Sequence, residues 1–246
     1  MNYKQLNREN LASLYSFIGS NVAGFNFMNE NGLSYVSSNG SCWPNCFWNI
    51  QQDENRLKEI FGIRKILSTN PLFITTDDKD LEMLLKKQRC FPVDQWKGMY
   101  KLINENIKSN ENISSLYKVE VLENKIDDWT NFVSKELFKG KGLDKEIFFA
   151  LKENGAKFLA ILDNGNIIGS TLIYFDINRI GSLYMVCVNG NYRGMGLGKL
   201  LVNHGLNIIN QKGIDIALLQ STKLGFNLYK SLGFIESNTY NLFIKI

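Results

Sequence analysis

Histidine occurs once, at His204, and the four cysteines, Cys42, Cys46, Cys90 and Cys187, include no C-x-x-C pair. Neither a zinc site nor a disulfide framework is expected from so sparse a set of ligands, and no metal is called for. No apolar run reaches the roughly 18 residues of a membrane span, and the charges of Met1 to Asn10 are not followed by an apolar leader segment. No membrane association is expected, and the cytoplasm is the expected address. A formal charge of +4 is small for 246 residues and is not gathered into a basic block, which argues against nucleic acid as the main partner. What is present is a chain that is 44% hydrophobic and rich in aromatics, enough to build real cores in one large domain or two smaller ones.

The most informative segment is Val186 to Leu201, V-C-V-N-G-N-Y-R-G-M-G-L-G-K-L-L. A short apolar strand runs into a helix through Arg193-Gly194-Met195-Gly196-Leu197-Gly198. Alternating glycines remove side chains that would hold a ligand off the backbone, and they leave a row of N–H donors at a helix start. The helix dipole and Arg193 add positive charge, so the preferred guest is a phosphate or diphosphate. Two other diphosphate folds fail on spacing. A Rossmann fingerprint requires G-x-G-x-x-G with an acid ending the next strand; here the glycines read G-x-G-x-G, and Asp215 begins the strand Ile214 to Leu219 where an acid would have to end it. A P-loop requires Ser or Thr after the lysine, and Lys199 is followed by Leu200.

Arg193, Gly196 and Gly198 occupy the fixed positions of R/Q-x-x-G-x-G/A, and in this the segment resembles the acetyl-CoA signature of the GNAT superfamily of N-acetyltransferases. Leu218 to Phe234 also looks like that family's closing element, a strand, a helix and the ending L-Y-x-x-x-G-F. The resemblance implies an α/β (α+β) fold, a mixed and mostly antiparallel sheet flanked by helices, over residues 116–246. It implies acetyl-CoA as cosubstrate and a small-molecule amine or amino acid as acceptor. Val186, Cys187 and Val188 would pair with the pantetheine arm; Arg193, Gly194, Met195, Gly196, Leu197 and Gly198 would cradle the diphosphate; Thr222 stands where many members carry an asparagine that touches the cofactor. Tyr229 matches the family tyrosine that protonates the departing thiolate. A noncatalytic acyl-CoA-binding module is the alternative. Gly225, in place of a common alanine, gives the variant S-x-x-x-G-x-x-L-Y, which Ser221, Gly225, Leu228 and Tyr229 satisfy, and Gly190 replaces a frequent proline.

The polar stretch Lys108 to Ser115 reads as a linker, dense in turn-forming residues. It separates residues 1–107 from 116–246. After it the periodicities predict a strand at Tyr117 to Leu122, helices at Asp127 to Leu137 and Lys145 to Lys152, and strands at Lys157 to Leu162 and Ile167 to Phe175 about an Asn164-Gly165 hairpin. A strand at Ile180 to Val188, a helix striped by Leu197, Leu200, Leu201 and Ile208 and ending at Lys212-Gly213, and a strand at Ile214 to Leu219 follow. His204 lies on the helix's apolar stripe, where a packed role is favoured over a catalytic one.

Before the linker no glycine cradle exists. Leu72 to Thr76, Asp78 to Arg89 and Gln95 to Ile103 read as strand, helix and strand, which resembles a degenerate GNAT-like half of the kind that tandem GNAT proteins carry. Asn26 to Asn45 reads as loop. Trp43, Pro44, Trp48 and Trp96 either line a substrate groove or pack a core. Cys187 is an acyl-enzyme candidate without a histidine in its own motif, which favours a buried thiol. Asp144, Glu146, Asp176 and Glu236 are candidate bases, and none is singled out.

Overall fold

The computed structural model describes residues 1–30, 32–67, 72–103 and 116–245, with backbone alone for 64–67. The Lys108 to Ser115 linker lies outside the described residues. The first half runs α1 (Tyr3–Asn21), β1 (Phe25–Glu30), β2 (Leu33–Ser38), β3 (Cys46–Trp48), α2 (Glu54–Leu67), β4 (Phe73–Thr76), α3 (Lys79–Lys87) and β5 (Cys90–Leu102). The second runs β6 (Val119–Val121), α4 (Ile126–Phe138), α5 (Lys145–Glu153), β7 (Lys157–Asp163), β8 (Asn166–Phe175), β9 (Gly181–Val188), α6 (Leu197–Gln211), β10 (Ile216–Ser221), α7 (Phe226–Ser231) and β11 (Ile235–Lys245). From α1 onward the first half repeats the order of the second from α5 onward. None of the described helices is long and apolar enough to cross a membrane.

Local chemistry explains most of these boundaries. Asn2, Asp78 and Asp144 cap α1, α3 and α5, each side chain accepting an N–H that the first helical turn leaves unpaired. Between β7 and β8, Asn164 and Gly165 both take positive φ, 48° and 80°, as a tight hairpin requires. The reading of Asn26 to Asn45 as loop is corrected, because β1 and β2 form an antiparallel hairpin there, paired from Phe25↔Ser38 to Glu30↔Leu33. Two of the asparagines that suggested a loop are used inside it: Asn29 Oδ1 accepts from Ser34 Oγ at 2.7 Å, and Asn45 Oδ1 accepts the Ser38 N–H at 2.8 Å. The Asn31-Gly32 dipeptide was the available signal, and Gly32 takes φ 82°.

The strands make one sheet in the order β1-β2-β3-β4-β11-β5-β10-β9-β8-β7-β6. The halves interleave at its centre. β5 lies between β10 and β11, so the last strand of each half pairs with the other half. Leu172 and Tyr174 pack with α1, α4 and α5, whereas Ile173 between them packs with α6; with strand side chains alternating, the helices divide accordingly between the two faces. On α6 the buried stripe is Leu197, Leu200, Leu201, Leu206 and Ile209, with Ile208 only half-buried at its border. Trp129 anchors α4: its ring meets Phe148 and Phe158 edge-on at 5.2 and 5.0 Å, and its Nε1–H donates to Leu159 O at 3.1 Å. Trp43 and Trp48 pack about Tyr15, 6.1 and 5.6 Å between centroids, and Trp96 packs half-buried on the same cluster, so the tryptophans join a core.

Candidate active site

β9 and β10 run parallel but pair only at Gly181↔Ala217 and Ser182↔Leu218. Beyond those pairs β9 stays on β8 and β10 stays on β5, so a seam opens between them. A bulge on β9 sharpens the opening: Met185 takes φ 52°, and the register slips between Ser170↔Cys187 and Leu172↔Tyr184. The carbonyls displaced by the bulge are caught from β8, where Ser170 Oγ donates to Met185 O at 3.0 Å and Thr171 Oγ1 to Tyr184 O at 3.2 Å. Bulges of this kind aim backbone groups at sites that a regular ladder would consume.

The seam leads to the start of α6. Gly194 and Gly196 have φ of 79° and 81°, the left-handed region that a Cβ disfavours. Gly196 is the N-cap of α6 and has no side chain to offer, and no acid stands in the first turn. The first intrahelical bond is Leu200 N to Gly196 O at 3.1 Å, so the N–H groups of Leu197, Gly198 and Lys199 have no acceptor within the helix. At α1, α3 and α5 an Asn or Asp side chain fills this place; at α6, as at α4 and α7, none does. Gly198 serves packing, since a Cβ there would stand 3.2 Å from Leu228 Cδ2 on α7. Arg193 ties the loop to β9 through Nε–H to Val188 O at 3.0 Å, and its Nη2 lies 3.4 Å from Glu136, which partly offsets its charge.

Tyr229 is buried on α7 at the same seam, its ring edge-on to Phe234 at 5.8 Å. Burial raises its phenol above the ordinary tyrosine value, and the nearby Cys187 thiol adds to the shift. The phenol therefore stays protonated through neutral and mildly alkaline pH. A Cβ on Gly225 would stand 2.9 Å from the Tyr229 ring, which explains why glycine stands where an alanine was the commoner expectation. Gly225→Ala should displace that ring and cost about 1–3 kcal/mol by overpacking; thermal unfolding, with turnover measured on the same sample, checks both effects. Cys187 is buried, its Sγ 3.1 Å from Ser170 Oγ, and burial pushes the thiol up to about 12. It is a neutral thiol at physiological pH. Val186 and Val188 are half-buried against the α6 core. Thr222 is exposed after β10, and its carbonyl accepts the Gly225 N–H at 3.1 Å.

His204 is half-buried on α6, and burial lowers its pKa, leaving a neutral ring. Of the acids, Asp144 caps α5; Asp176 accepts Asn178 N, Ile180 N and Asn10 Nδ2; Glu236 pairs with Lys97 at 2.9 Å; and Glu146 is exposed.

Residues that the sequence reading missed sit on α1. Asn7 and Asn10 are fully buried, three apart on the face that also buries Leu11 and Leu14. Asn7 Nδ2 donates to Leu219 O at 3.4 Å and to Met99 O at 3.2 Å, while its Oδ1 accepts Gln220 Nε2 at 2.8 Å. Asn10 Oδ1 accepts Ser182 Oγ at 2.6 Å and Tyr184 OH at 3.0 Å. The signal was available: two asparagines interrupting a helix's apolar stripe need buried partners.

Comparison with solved structures gives the fold first. A GCN5-related N-acetyltransferase from Kribbella flavida superposes with a TM-score of 0.70 at 11% identity, covering 98% of this chain and 95% of that one. A tandem GNAT protein from the clavulanic acid biosynthesis pathway gives 0.64 at 11%, covering 97% and 94%. Residues 120–234, in the second half of the chain, match the acetyltransferase (GNAT) family. A mycothiol acetyltransferase from Thermomonospora curvata is 35% identical over 80 residues, and that match spans 31% of this chain and only 27% of the relative.

Proposed function

We propose that the protein transfers an acetyl group from acetyl-CoA to a primary amine of a small molecule or amino acid, by direct attack within a ternary complex. One observation carries the reading: the open β9–β10 seam leads directly to a helix start whose cap is a glycine and whose N–H groups lack acceptors. An amide-bearing arm can add to the free edge of β9 as a strand would, and a diphosphate can accept from Leu197, Gly198 and Lys199. A backbone N–H of Val186 to Val188 holds the carbonyl oxygen as the amine nitrogen bonds to carbon and negative charge gathers there. Tyr229 gives its proton to the sulfur as the C–S bond breaks, and water takes the proton from nitrogen. Cys187, held neutral by burial, stays outside the chemistry.

We assign acetyl-CoA binding to residues 116–246 and shaping of the acceptor side to residues 1–107. Cys42 N donates to Gly142 O at 2.8 Å, and Asp144 N donates to Ser41 Oγ at 3.1 Å, so a loop of the first half grips the turn between α4 and α5. The start of α2 is unsuited to phosphate, because Asp53 Oδ1 already accepts the Asn55 N–H at 2.9 Å and Glu54 stands in the first turn. Calorimetry should therefore give one CoA per chain; two equivalent sites would overturn the assignment. The activity itself is tested by thiol release from acetyl-CoA with a panel of amines. Binding without release for any amine would leave a noncatalytic acyl-CoA-binding module.

A further inference from the structure

The first half contains a second seam. β3 and β4 run parallel and pair only at Cys46↔Phe73 and Phe47↔Ile74, then part as β9 and β10 do. Between their ends and α1 lies a cavity of about 360 Å³, at the small end of ligand sites. Its lining does not suit a diphosphate. Arg8 is the only cation among its described lining residues, and that guanidinium is committed to Asp77, with Nε–H bonds of 2.7 and 2.9 Å. With Asp77 neutralised, the carboxylates of Glu9 and Asp78 leave the cavity negative.

Two further features describe the guest. Thr75 is 6% exposed and lines the cavity, and its Oγ1 has no hydrogen-bond partner among the described residues. A buried hydroxyl left without a partner is destabilising, so its retention here is explained by a donor that arrives with a ligand. Trp48 and Tyr240 supply aromatic surface in the same wall, which favours a cation. We propose that this cavity binds a small primary amine, its ammonium directed at Thr75 and Glu9 and its carbon body against Trp48 and Tyr240. The site is separate from the open seam of the second half, and the proposal does not require the bound amine to be acetylated.

Titration of the full chain with butylamine, in the absence of acetyl-CoA, tests it by calorimetry, with N-butylacetamide as the uncharged control. The amide should bind at least about tenfold more weakly than the amine, because the charge and two donors are lost. Thr75→Val should weaken the amine about tenfold while leaving the free chain as stable or more so, since a hydroxyl without a partner gives way to a methyl of the same shape. Glu9→Gln should weaken the amine and reduce the salt dependence of its binding. Gly196→Asp, which damages only the second half's helix start, should leave amine binding unchanged. Equal binding of amine and amide, or parent-like affinity in both Thr75→Val and Glu9→Gln, would overturn the proposal. Loss of amine binding in a folded Gly196→Asp chain would move the amine to the other seam.

Discussion

Gly196→Asp should abolish acetyl-CoA binding while leaving the chain folded. For the parent, millimolar acetyl-CoA over a micromolar dissociation constant should add about 4 kcal/mol of stability by occupancy alone. The variant should lose essentially all of that increment. Gly196 is the N-cap of α6 at φ 81°, a conformation that aspartate adopts at modest cost. Its carboxylate would then cap the N–H groups of the first turn, as Asp53 does at α2, and would repel a diphosphate. Gly196→Asn separates the two effects, because it caps without charge. Thermal shift against acetyl-CoA concentration, with circular dichroism to show that the fold persists, gives the result. Parent-like affinity in the aspartate variant would remove α6 from the binding site.

Tyr229→Phe should lower turnover 10²- to 10⁴-fold, about 3 to 5 kcal/mol in the barrier, if a positioned acid is what protonates the leaving sulfur. Acetyl-CoA affinity should hardly change, because the ring remains to pack on Phe234 and the hydroxyl is asked to act on sulfur alone. Burial raises the phenol's pKa, so in the folded protein the neutral form is favoured and the proton is retained at neutral pH. That contribution to stability is present below the ordinary tyrosine range and is lost as pH rises through the higher folded value. A large loss of acetyl-CoA affinity in Tyr229→Phe would make the residue structural; full activity would assign the proton to water. Measuring the dissociation constant and the rate on one preparation distinguishes the cases.

The order of elements in the second half was readable because each signal is local. The Asn164-Gly165 turn, the Asp144 cap and the glycine run after Val188 all act within a few residues of themselves. The role of Gly225 needed the third dimension: a motif could place Tyr229 after it, but only the folded α7 brings the ring to 2.9 Å from where a Cβ would stand. The β1–β2 hairpin was misread for a related reason. Its asparagines look like loop residues until Asn29 and Asn45 are seen to accept from Ser34 Oγ and the Ser38 N–H.

What the sequence determined by itself is the character of the α6 start, since a helix entered through Gly-Met-Gly with no acid and no side-chain cap leaves its first N–H donors free of protein acceptors wherever it is placed. The tertiary structure alone decided that β5 enters the other half between β10 and β11, and that Asn7 and Asn10 of α1 reach Leu219, Gln220, Ser182 and Tyr184. Those partners stand far away along the chain, and neither hydrophobic period nor turn chemistry specifies which distant edge a strand will join. That choice follows from which pairing buries both apolar faces and satisfies both buried asparagines at once.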